Sequence, residues 1–337
     1  MGRIVSTVAL LTACLLFAPL ASAREPGAIL EWPHVGAEQA HAKYSVADEI
    51  GAANVGELEI VWQSEPNEKP LEEYGTRPGQ FQATPIMVGG VLYLSTMYSR
   101  VAALDAETGA ELWTFDPKAY AGGPRGTRPG GFQHRGVAYW SDGDDARIFL
   151  NSRDRLYSID ATTGELDEDF GESGSTLLTE GHGRPVSRYE FDQTSPPVVF
   201  EDLVIVGSRI PDRVQRKFDP PGTVQAFDAR SGKRRWVFFT VPQSSDDFGA
   251  DTWGDESWRY TGHANVWGLM SVDVERGLLY VPTSTPSGDY WGGRREGRIS
   301  SPTRWSASMR ARAGGNGISK PYTTACGTTT SARRRNW

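Results

Sequence analysis

Apolar residues along this chain come in short alternating runs, and several runs are closed by the same polar turn. Val101 to Gly109 reads Val-Ala-Ala-Leu-Asp-Ala-Glu-Thr-Gly and is followed by Trp113. The pattern returns at Leu156 to Gly164, as Leu-Tyr-Ser-Ile-Asp-Ala-Thr-Thr-Gly. It returns again at Val224 to Gly232, as Val-Gln-Ala-Phe-Asp-Ala-Arg-Ser-Gly, with Trp236 beyond it. In the first and third copies the Asp-to-Trp spacing is eight residues. A weaker fourth copy runs from Leu269 to Gly277 and on into Leu278, Leu279 and Tyr280. Alternation with period two predicts a strand, and the Asp, Thr or Ser, and Gly that follow supply a tight turn. Gly provides the positive φ such a turn needs, while the Asp and Thr side chains bond its backbone. The Trp marks the returning strand, so each unit is a hairpin.

Further apolar runs precede these hairpins: Val91 to Leu94, Ile148 to Leu150 and Leu203 to Val206. They supply the remaining strands of four-stranded sheets. Successive turn aspartates are 55, 68 and 45 residues apart, spacings that suit an all-β propeller with loop insertions. A β-sandwich with similar hairpins is the alternative architecture. Two insertions exceed what a sheet turn needs: the Gly- and Arg-rich stretch Gly122 to Gly131, and Gln243 to Thr261 with its acids Asp246, Asp247, Asp251, Asp255 and Glu256. Loops of that length are expected to line a functional face.

Composition narrows the function. With 337 residues, 38% hydrophobic and 11% aromatic, the chain can bury a substantial core. A net charge of -7 excludes a basic nucleic-acid-binding face and favours small-molecule partners. Arg3, the apolar run Ile4 to Leu20 and the small residues Ala21-Ser22-Ala23 form an export leader. Residues 1–23 are therefore expected to be a signal peptide, and the mature protein to be periplasmic. Lipoprotein anchoring at Cys14 is the alternative. No later stretch is apolar enough for a transmembrane segment. Cys14 and Cys326 are the two cysteines, which rules out a disulfide framework in the mature chain.

The Leu-Asp-Ala-x-Thr-Gly-x-x-x-Trp unit resembles the tryptophan-docking motif of the quinoprotein dehydrogenases, which use pyrroloquinoline quinone (PQQ). Tyr44-Ser45, Asn54 to Leu58 with Val61-Trp62, Thr84-Pro85 and Thr194-Ser195-Pro196-Pro197 match that family in order. The resemblance covers about residues 30 to 297, and residues 24–297 are expected to form part of an eight-bladed propeller. It implies oxidation of a sugar or alcohol, PQQ with Ca²⁺ or Mg²⁺ as cofactors, and a quinone or cytochrome as electron acceptor. Arg135, in His134-Arg135-Gly136, is similar to the family arginine that pairs with the quinone. Trp267, in Asn265-Val266-Trp267-Gly268, is similar to the tryptophan beneath it. Thr194 and Ser208 match polar contacts to PQQ, and Gln82 stands where several members carry glutamate. His134 is a neighbour on the same face. Asp212 and Thr285 match metal positions. The alcohol-oxidising branch carries adjacent cysteines where this chain has Gly130-Gly131-Phe132-Gln133, which favours the glucose-dehydrogenase-like branch. A non-catalytic propeller scaffold, like the outer-membrane assembly lipoproteins, is the alternative from another functional class.

From Arg298 to Trp337 the chain changes character, with eight Lys or Arg and no Asp or Glu. A basic disordered tail is one reading. A shifted reading frame is the other. Read two nucleotides later, permitted codons for Arg298 to Ser331 yield Val-Val-Gly-Leu-Asp-Ala-Arg-Thr-Gly, a Trp at the same eight-residue spacing, and then His-His-Gly-Leu-Trp-Asp-Tyr-Asp. The last string is similar to the family segment holding the catalytic aspartate. Residues 298–337 are thus expected to be an out-of-frame, disordered stretch, and the chain an inactive fragment.

Overall fold

Four antiparallel sheets follow one another along the chain. The computed structural model describes residues 30–124, 131–210, 217–247, 249–287 and 309–310, and the fold lies within the unit Glu31–Trp337. The first sheet holds β1 (Ile86–Val88), β2 (Val91–Ser95), β3 (Val101–Asp105) and β4 (Glu111–Phe115). The second holds β5 (Ala138–Ser141), β6 (Ala146–Ser152), β7 (Arg155–Asp160) and β8 (Ser175–Leu177). The third holds β9 (Val198–Phe200), β10 (Leu203–Val206), β11 (Thr223–Asp228) and β12 (Arg234–Phe239). The fourth holds β13 (Ser271–Asp273), β14 (Leu278–Tyr280) and β15 (Met309–Arg310). Met309 and Arg310, inside the stretch expected to be disordered, pair with Leu279 and Leu278. The rest of 298–337, the leader at 1–23 with Cys14, and Asp212 lie outside the described residues.

Each sheet is a meander in which strands pair with their chain neighbours, the blade of a β-propeller. Adjacent blades pack face to face, and strand alternation supplies both faces. Along β6, Ile148 and Leu150 enter the core shared with the first sheet, while Phe149 between them enters the core shared with the third. Along β10, Val204 and Val206 face back toward the second sheet and Ile205 faces forward to the fourth. Period-two patterning therefore builds two dry interfaces from one strand.

The turn chemistry is as the repeat predicts. Asp105 Oδ1 accepts from the Thr108 N–H and hydroxyl, both at 2.7 Å. Asp160 does the same with Thr163, and Asp228 with Ser231. These three aspartates close the third strand of their sheets. The fourth copy is different: Asp273 to Gly277 joins β13 to β14, the first and second strands. It is a hairpin of the same chemistry at another place in the blade, because any tight antiparallel turn rewards the same residues.

The Thr108 hydroxyl, and then its backbone N–H, hold the Asp105 carboxyl below its ordinary range. A carboxyl depressed on folding stabilises the native state above its unfolded pKa of about 3.9, and that contribution is lost as pH falls through the folded value. Thermal unfolding midpoints are expected to fall below about pH 4, less steeply in Asp105→Asn. Equal acid slopes in the two proteins would sink this account.

The tryptophans dock between blades. Trp113, on β4 of the first sheet, donates its indole N–H to Ala161 O at 3.1 Å, in the second sheet's turn. Its ring lies so close over Gly164 that a Cβ there would sit 2.6 Å from the indole, and Gly164 has φ +76°. Trp62 repeats this geometry on the first sheet, donating to Ala106 O at 3.2 Å and lying 2.5 Å from the position of a Cβ on Gly109. The extended backbone leading to Trp62 belongs to none of the four sheets, and Leu58, Ile60 and Val61 on it are exposed.

An inner segment ties the first strands together. Trp32 exchanges both backbone hydrogen bonds with Met87 of β1. Gln39 Nε2 donates to Val199 O at 2.6 Å, and Gln39 O accepts from Val272 N at 2.8 Å, reaching β9 and β13.

Candidate functional site

In a four-stranded meander, the hairpin turns after the first and third strands lie at one end. The entrances to first strands, the exits of second strands and the links between sheets lie at the other. The Asp-to-Gly turns of the first three sheets therefore occupy one end, and the described residues of the insertion Gln243 to Thr261 lie toward the opposite one. Gln82, Arg135, Thr194 and Trp267 stand at equivalent places there, three or four residues before β1, β5, β9 and β13.

Backbone bonds link these entrances in sequence. Thr84 N donates to Arg135 O at 3.0 Å, and Arg135 N donates to Thr194 O at 3.0 Å. The Ser195 hydroxyl then donates to Trp267 O at 2.5 Å. Buried amides brace the row. Gln193 Oε1 accepts from the Thr194 and Ser195 N–H groups, and its Nε2 donates to Val266 O. Asn265 pairs with the Ile210 N–H and C=O at 2.7 Å each, imitating a strand partner. Neither residue was singled out from the sequence, although each lies within two positions of a site residue that was.

The side chains converge at Arg135. Its guanidinium donates to Thr194 Oγ1 and sits 5.6 Å over the ring of Trp267. Trp267 is 42% exposed, so its ring remains open to solvent while its backbone is fixed. Burial, followed by the repulsion of Arg209, pulls the Arg135 pKa below the ordinary guanidinium value, with Asp192 opposing the effect. Among the described residues Arg135 forms no ion pair with a carboxylate. The neighbouring cation Arg209 does: it meets Asp192 at 3.0 Å in a buried pair.

Other expected residues have different settings. Ser208 is fully buried, with its Oγ accepting from Thr223 N at 2.7 Å and its carbonyl from Val266 N at 2.9 Å. It follows the exit of β10 at this same end. His134 is also buried, with Nε2 2.8 Å from Asn151 O and Nδ1 2.9 Å from Ser95 Oγ. A carbonyl accepts only, so Nε2 carries the proton and Nδ1 accepts the Ser95 hydroxyl. His134 thus anchors the segment that presents Arg135. Gln82 donates to Gln80 Oε1 at 3.0 Å, while its own Oε1 is buried and unpaired among the described residues. Thr285 follows β14 at the same end, and its carbonyl accepts from Ala264 N at 3.1 Å. No group of three His, Cys, Asp or Glu side chains that could hold a metal occurs among the described residues.

A family model described as the glucose/ethanol/alcohol dehydrogenase beta-propeller domain, PQQ, matches residues 32–306. This chain belongs to that quinoprotein family. It is 31% identical over 285 residues to the quinoprotein glucose dehydrogenase of Gluconobacter oxydans, covering 79% of this chain and 34% of that protein. It is 29% identical over 290 residues to the quinate/shikimate dehydrogenase (quinone) of Acinetobacter baylyi, with the same coverage. The crystal structure of the quinohemoprotein alcohol dehydrogenase from Comamonas testosteroni superposes with a TM-score of 0.67 at 27% identity, over 83% of this chain and 39% of that one. The chain therefore spans about a third of the length of the curated relatives it matches.

PQQ is a flat tricarboxylate, and the donor set on this quinoprotein suits it. Arg135 is a half-buried cation that forms no ion pair among the described residues, and burial of such a charge is offset when an anion arrives. Trp267 offers an open π-face beside it. Thr194 adds a hydroxyl whose oxygen already accepts from Arg135 and whose proton can be donated to a ligand oxygen. Gln82 Oε1, Asn151 Oδ1 and Thr283 Oγ1 are buried oxygens lacking partners among the described residues, on segments at this same end.

Proposed function

We propose that this chain is the PQQ-binding part of a dehydrogenase that oxidises a sugar, of glucose type, or an alcohol, and passes electrons to a quinone or cytochrome. The observation carrying this reading is Arg135, a half-buried cation that forms no ion pair among the described residues, over the exposed ring of Trp267. Bound PQQ supplies the two-electron acceptor for a substrate hydroxyl. Arg135 holds its negative charge and Trp267 supports its plane. Thr194 orients Arg135 and a ligand oxygen together. Ca²⁺ or Mg²⁺ would be held by Asp212 and Thr285, oxygen donors that hard cations prefer. Gly130-Gly131, in place of adjacent cysteines, supports the glucose type. The leader at 1–23 supports export to the periplasm, which cell fractionation tests.

Titration of the full chain with PQQ and Ca²⁺ is expected to quench tryptophan fluorescence, and Trp267→Phe is expected to reduce the quenched fraction. Absence of quenching in the unaltered chain would favour a cofactor-free scaffold. We propose further that the chain as written binds PQQ without turning substrate over, because the string similar to the family segment with the base is absent from the written residues and is one that permitted codons for Arg298 to Ser331 yield in the shifted frame. PQQ-dependent dye reduction by this polypeptide would overturn that second statement. Sequencing the nucleotides across codon 298 tests the frame directly.

A further inference from the structure

Arg209 stands just past the exit of β10 and was not among the residues singled out from the sequence. It is 8% exposed, and its side chain is about nine-tenths buried. The backbones of Asp192 and Arg209 exchange both hydrogen bonds, at 3.1 and 3.0 Å, so the two residues face each other across the mouth of the third sheet. One guanidinium nitrogen, Nη1, donates to Asp192 Oδ2 at 3.0 Å. A guanidinium has five N–H groups. Those on the remaining nitrogens of Arg209 have no partner among the described residues.

Arg209 lies near enough to Arg135 to disfavour its charge, which Asp192 favours, and the solvent-open ring of Trp267 lies alongside Arg135. Among the described residues the buried guanidinium of Arg209 is met by one carboxylate oxygen, and the N–H donors left over from that contact are positions that a second anion can take. Asp192 meets Arg209 directly and also favours the charge of Arg135, so it is the carboxylate that ligand anions would supplement.

We propose that Arg209 is a second cation of the ligand cradle, which together with Arg135 receives carboxylate groups of a planar, multiply anionic ligand, and that Asp192 is the internal stand-in anion that holds Arg209 when no ligand is bound. This rests on the PQQ-binding reading above and adds a residue and a competing group to it. Ligand carboxylates take the free N–H donors of Arg209. Asp192 keeps the guanidinium in place and sets how strongly it attracts them.

The test compares PQQ with its trimethyl ester, whose shape is similar and whose carboxylates are masked, by fluorescence titration of the full chain with Ca²⁺. The unaltered chain is expected to prefer the free acid. In the paired variant Arg209→Met with Asp192→Asn, the acid-to-ester affinity ratio is expected to fall about tenfold or more, the loss of at least one charge-assisted bond. Asp192→Asn alone leaves Arg209 unneutralised and is expected to raise the ratio several-fold. Because each ratio is measured within one protein, a general loosening of the fold moves both ligands together and leaves it unchanged. An unchanged ratio in the paired variant, with acid binding intact in the unaltered chain, overturns the role of Arg209 while the cofactor reading stands. Failure of the unaltered chain to bind the acid overturns both.

Discussion

Arg135→Gln is expected to weaken PQQ binding by about a hundredfold or more while leaving the fold intact. Removing one partner of a buried, hydrogen-bonded charge pair costs about 3–5 kcal/mol, and each 1.4 kcal/mol is tenfold in affinity. In the ligand-free protein, however, burial and Arg209 disfavour the charge of Arg135 while Asp192 and the Thr194 contact favour its place, so these effects largely offset one another. Unfolding free energy is therefore expected to change by less than about 0.5 kcal/mol, or to rise. Fluorescence titration and urea unfolding on the same preparation check both halves. Binding within a few-fold of the unaltered chain would remove Arg135 from the site. A large loss of stability would recast it as a structural residue.

The second large effect lies at the opposite end of the blades. Gly164→Ala is expected to destabilise the fold by about 3 kcal/mol, combining left-handed backbone strain of about 1–2 kcal/mol with overlap against the Trp113 indole. The two contributions separate in a double-mutant cycle. With Trp113→Ala already present, the overlap has gone and the cost of Gly164→Ala is expected to fall to about 1 kcal/mol, the backbone strain alone. Equal costs in the two backgrounds would mean that the indole does not rest on Gly164.

Much of this architecture was legible because it is local. The Asp-to-Gly turns declare themselves within nine residues, and the strands on either side alternate with period two. The same locality explains the misplaced fourth copy. Asp273 to Gly277 satisfies every local requirement of the repeat, and only its pairing partner reveals that it joins first and second strands. Arg135, Thr194 and Trp267 were legible through resemblance, and each stands at an entrance. Arg209 and Asp192 were not. They lie 17 positions apart in the chain, and nothing in either neighbourhood marks a buried pair. His134 illustrates the opposite difficulty. Its adjacency to Arg135 suggested a place on the active face, whereas its two ring nitrogens are occupied by Ser95 and Asn151. Adjacent residues near a strand point to opposite sides, so Arg135 meets Thr194 and Trp267 while His134 meets Ser95 and Asn151.

The seating of Trp62 has a practical consequence for anyone who wishes to cut, shuffle or permute this domain. Each indole is carried by one structural module and completes the next, so the repeat as spelled in the gene is out of phase with the repeat as folded. A fragment cut at a sheet boundary keeps a glycine seat and discards its occupant. New termini should instead follow a tryptophan's seat, so that the exchangeable piece runs from one docked ring to the next. By that rule the first complete exchangeable piece here begins before Trp62, well ahead of β1.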